Sequence, residues 1–94
     1  MLPNVEQYLR KVTTDLAERV GVNPDRVRLS YELLGGEWGW HVSINYLCKP
    51  KRVRKPFNYA ARGYAPTLPE AIVDAIEVYE SADDRVVTAE VSGD

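Results

Sequence analysis

Ninety-four residues, 45% of them hydrophobic and 28% charged, fit one globular domain with a modest core and leave no room for a second. The apolar runs are only a few residues long, far from the roughly 20 that cross a bilayer as a helix, and the start Met1-Leu2-Pro3-Asn4 lacks the pattern of a secretory leader. A single cysteine, Cys48, excludes an internal disulfide, so the expected setting is cytoplasmic.

The net charge of −2 hides a strong separation. Residues 1 to 37 are close to balanced. Residues 38 to 69 carry six basic side chains and no acidic one. Residues 70 to 94 carry eight acids against Arg85.

Along the chain, Val5, Tyr8, Leu9, Val12, Leu16 and Val20 recur at spacings of three and four, which predicts an amphipathic helix closed by Gly21. Asn23-Pro24-Asp25 is turn chemistry. Val27, Leu29, Tyr31 and Leu33 then alternate with polar residues, and Gly35-Gly36 supplies the positive φ angles of a tight hairpin. Trp38, Trp40, Val42, Ile44 and Tyr46 form the clearest strand pattern, ended by Pro50. Lys49 to Lys55 reads as a loop, and Phe57 to Tyr64 as a third, weaker strand. Thr67-Leu68-Pro69-Glu70 is a capping box opening a second helix, whose apolar stripe is Leu68, Ala71, Ile72, Ala75, Ile76 and Tyr79.

The expected fold is therefore a two-layer α+β domain over residues 1–81, in the order αβββα. Both helices cover one sheet face, and the other face is left to water or to a ligand. Residues 82–94 form an acidic tail, in which Val86-Val87, Ala89 and Val91 suit a short edge strand.

The chemistry-bearing residues are few. His41 is the sole histidine, on the polar side of the second strand, and nothing in the sequence supplies the partner that would orient it for catalysis. Cys48 suits a half-buried strand end. One histidine and one cysteine give no metal-ligand spacing, and no cofactor motif is present. Catalytic residues, metals and cofactors are therefore not expected. The informative stretch is KPKRVRKPFNYAARGY, Lys49 to Tyr64, whose basic side chains stand beside aromatics. Basic groups neutralise phosphates, and loops carry contact residues on a rigid scaffold. The expected binding residues are Lys49, Lys51, Arg52, Arg54, Lys55, Arg62, Tyr64 and Trp38. The reading is a non-catalytic binding module for nucleic acid, of the kind phage or mobile-element accessory proteins provide. The alternative is a protein-binding module, a homodimer or an inhibitor of a host protein, using the same loop and the nearby aromatics.

The order of elements across Val5 to Ser81 resembles that of double-stranded-RNA-binding domains. That resemblance implies phosphate contacts from lysines at the start of the last helix, where this chain has Thr67-Leu68-Pro69-Glu70-Ala71. The run Thr67 to Ile72, leading into Ala75 and Tyr79, looks like the closing helix of HicB-type antitoxin domains.

Overall fold

The computed structural model describes residues 3–86. It has two helices and a three-stranded antiparallel sheet, in the order α1 (Pro3–Val20), a short 3-10 turn (Pro24–Arg26), β1 (Val27–Leu34), β2 (Glu37–Cys48), β3 (Phe57–Ala65) and α2 (Leu68–Ser81). The strands lie in the order β1-β2-β3, so β2 is central and, among the described residues, the outer sides of β1 and β3 are edges. The αβββα expectation holds.

Local chemistry sets each boundary. Gly21 takes φ +78, and both Gly21 N and Val22 N donate to Ala17 O, which satisfies that carbonyl in the last turn of α1. Gly35 and Gly36 have φ +61 and +84, and their two-residue turn sets Leu34 opposite Glu37. That turn fixes the register of the whole hairpin, because side chains alternate faces with a period of two. At α2 the Thr67 hydroxyl accepts from Glu70 N at 3.4 Å and donates to the Glu70 carboxylate at 2.8 Å.

The core lies between the sheet and both helices. Val42, Ile44, Tyr46 and Cys48 of β2, with Ala61 and Ala65 of β3 and Val27 of β1, meet Leu16 and Ala17 of α1 and Leu68, Ala71, Ala75, Ile76 and Tyr79 of α2. Helix α2 comes closest at Gly63. A β-carbon there would overlap Ala71 O and stand 2.5 Å from Ala75 N, so the glycine is what lets the helix backbone reach the sheet.

Strand β2 ends at Cys48, the strand end expected before the Lys49–Lys55 loop, and β3 pairs with it up to that point, Cys48 standing opposite Phe57. Two features depart from the sequence pattern. Val5 and Tyr8, members of the expected apolar stripe, are exposed, and packing against the core begins only at Leu9. The segment after α2 also returns to the sheet. Lys49 N donates to Asp84 O, Val86 N donates to Leu47 O, and Arg85 bridges to Cys48. This segment lies on the β1 side of β2, beyond the point where β1 stops. The rest of the expected edge strand, Val87, Ala89 and Val91, lies outside the described residues.

Candidate functional site

The loop between β2 and β3 begins at Lys49 and closes at Pro56. Its start is held by the Lys49–Asp84 backbone bond, and Val53 N bonds back to Pro50 O at 3.0 Å, making a turn. Lys49, Lys51, Arg52, Arg54 and Lys55 are all exposed. Among the described residues, the ion pairs within 4.0 Å are Lys11–Asp15 and His41–Glu32, and neither involves the loop. Five cations thus stand in seven residues with no described carboxylate in contact. Spacings this short are well inside the screening length of about 8 Å at physiological salt, so the loop presents one joint positive field.

The face of the sheet that carries no helix continues from this loop. On it, Arg28, Ser43 and Arg62 form one row across the three strands. Ser30, His41 and Tyr64 form the next row toward the hairpin, and Asn45 with Ala60 the next toward the loop. Ser43, between the two arginines, is small and buried. Adjacent strands lie about 4.8 Å apart, so the two arginine backbones stand about 10 Å apart across the row. Both guanidiniums lack a described carboxylate within 4.0 Å.

The eight expected binding residues do not converge on one spot. The five loop cations form one group. Arg62 sits on the open face in mid-sheet. Tyr64 lies further along toward the hairpin, where its hydroxyl donates to Glu37 O at 3.1 Å. Trp38 is opposite Leu33 near the hairpin tip, on the helix side of the sheet, stacked on Tyr31 with centroids 5.3 Å apart. Ten residues of extended strand separate Trp38 from Cys48, about 33 Å. Trp38 and the loop are at opposite ends of the molecule. Arg28 joins Arg62 without having been expected. The signal for it was present, because the Gly35-Gly36 turn places Arg28 opposite Ser43.

The titratable side chains elsewhere show what chemistry the surface can do. His41 Nδ1 is 3.5 Å from Glu32 Oε2, and the Ser30 hydroxyl donates to the same oxygen. The carboxylate, rather than the imidazole, receives the hydroxyl proton, which is the wrong order for activating a serine nucleophile. Cys48 is buried, and burial together with a hydrogen bond to Asp84 pushes its thiol above the ordinary range. A thiolate is therefore disfavoured at this strand end. Tyr46 is raised for the same first reason, burial, with Cys48 and Asp84 adding to it. Among the described residues, no cluster of three or more His, Cys, Asp or Glu side chains could hold a metal ion. No described helix is long and apolar enough to cross a membrane.

No family model matches the chain, and neither a curated protein nor a solved structure does. The functional reading rests on geometry and charge alone.

Proposed function

We propose that this protein is a non-catalytic nucleic-acid-binding module, with Lys49, Lys51, Arg52, Arg54 and Lys55 gripping phosphates and Arg62 and Arg28 extending the track over the open sheet face. One observation carries the reading: the loop's cations are exposed, contiguous and without a carboxylate in contact among the described residues. Uncompensated cations displace the counterions condensed on a polyphosphate, and that release favours binding. Asn45 and Asn58 lie on the same face, between the loop and the arginines, and offer hydrogen bonds to phosphate or sugar oxygens.

The test is fluorescence anisotropy with a labelled duplex and a labelled single strand across a salt series. Affinity should fall steeply with salt, with a log–log slope near −0.9 per phosphate neutralised on duplex. Replacing Lys51, Arg52 and Arg54 together with alanine should flatten that slope by about three. A wild-type protein with no measurable affinity at low salt, or a triple variant with an unchanged slope, would defeat the reading.

A second reading, a protein-binding module, draws on a different place. Tyr31, Leu33 and Trp38 are each more than half exposed at the hairpin tip. Aromatics in such a position anchor partners in protein interfaces. Binding by that patch would fall on Trp38→Ala and respond only mildly to salt.

A further inference from the structure

The outer edge of β3 has two unlike ends. At its start, Phe57 and Tyr59 project from the helix side with their rings edge to face, centroids 6.4 Å apart, and they are 40% and 57% exposed. At its finish, beside the first turns of α2, lies an open groove of about 400 Å³ whose lining includes Tyr64, Ala65, Pro66, Pro69, Glu70 and Val73. A protruding aromatic pair and a recess thus occupy opposite ends of one strand whose outer edge has no partner among the described residues.

We propose that this edge pairs with the same edge of a second copy, antiparallel and centred on Ala61, giving a two-fold dimer with a continuous six-stranded sheet. Antiparallel pairing about Ala61 puts Phe57 opposite Ala65 of the second copy and Tyr59 opposite its Gly63. Each aromatic pair then reaches the other copy's groove, and the two-fold axis repeats the fit. Such self-complementarity is what an isologous interface requires. Charge agrees with shape. The same register carries Lys55 toward the start of the second copy's α2, where Glu70 and Asp74 are exposed and free of any described cation within 4.0 Å. It also sets Arg62 opposite Ala60 rather than directly opposite itself, which leaves the two arginines on the longer diagonal.

The edge itself invites pairing. Its nine residues, about 30 Å of strand, contain one charge, Arg62, and that side chain belongs to the open face. Pro56 and Pro66 bound the strand and so limit the pairing to these nine residues. The β1 edge carries both Arg28 and Glu32, the kind of charges that discourage edge-to-edge association. The dimer stands independently of the nucleic-acid reading, which uses the loop tip and the open face. Of the loop's cations, only Lys55 is drawn into the interface.

Sedimentation equilibrium tests this, with far-UV circular dichroism as the check on folding. At concentrations up to about 100 µM, the wild type should sediment at twice the 10.6 kDa of one chain. Tyr59→Asp and Phe57→Asp should each raise the dissociation constant about thirtyfold or more, as loss of an interface anchor does. Trp38→Asp, at the other exposed aromatic patch, should leave it unchanged. Should one of the two β3 variants lose its fold, the other decides. A monomeric wild type overturns the proposal. So does a dimer that survives the β3 substitutions, or one that Trp38→Asp disrupts.

Discussion

The helix side of the sheet and its open side are built from the same three strands, yet they differ in what an added side chain would meet. On the helix side, Ala61, Gly63 and Ala65 are buried and α2 lies so close that one methyl group has no room at Gly63. One residue out of phase, half-buried Ala60 and exposed Arg62 lie on the opposite, water-facing side. Stability is therefore concentrated on one face, and the other face tolerates the charge and small polar residues a ligand surface needs. The contrast teaches why the cations gather where they do. Desolvating a lysine or arginine against the helices would be costly without a paired acid, whereas the open face and the loop leave it hydrated.

Substitutions on β3 break this comparison most directly. Gly63→Val, which forces α2 off the sheet, should cost more than about 3 kcal/mol by the overpacking argument. Ala60→Val on the opposite face should stay within about 0.5 kcal/mol. Urea titration of both variants checks the pair, and similar losses at the two positions would mean the faces are not so different. Next in size is the arginine row. Arg28→Ala and Arg62→Ala together should weaken nucleic-acid binding about tenfold, uniformly across sequences, by loss of two phosphate contacts. The melting temperature should barely move, since both side chains face solvent. A smaller effect belongs to the α2 cap. Thr67→Ala should cost about 1 kcal/mol, readable as a lower denaturation midpoint with unchanged slope.

The smallest effect is a pH dependence from the helix side. The Cys48 thiol is held protonated by burial and by Asp84. Its folded pKa is raised, so the unfolded chain loses this proton first as pH climbs. The stabilisation is therefore fully present below the ordinary thiol pKa of about 8.5 and declines above it. Cys48→Ala should remove that decline, measurable by comparing denaturation midpoints at neutral and alkaline pH.

Much of the architecture was legible in the residues because local rules carried it. The Leu9–Val20 spacing, the Gly35-Gly36 turn and the Thr67–Glu70 cap each fix an element without reference to the rest of the chain. The candidate site was legible only in its loop. Trp38 and Tyr64 looked close to the cations because sequence distance along β2 and β3 is short. An extended strand turns ten residues into a span longer than most binding sites, and the alternation of faces puts Trp38 and Tyr64 on opposite sides. Arg28 was the reverse case, remote in sequence and adjacent across the sheet. Val5 and Tyr8 fit the helical period, but periodicity says nothing about where the covering layer stops.

The twelve-residue length of β2 has a consequence for how its amides exchange with solvent. From Glu37 to Ile44 the strand is flanked on one side by β1, and over most of its length by β3 on the other. From Asn45 to Cys48, β1 is gone and the second flank, among the described residues, is the short run from Asp84 to Val86. Protection along one strand should therefore fall in a step at Asn45, with the loop-proximal half opening through local release of that run while the hairpin-proximal half waits for the whole domain to unfold.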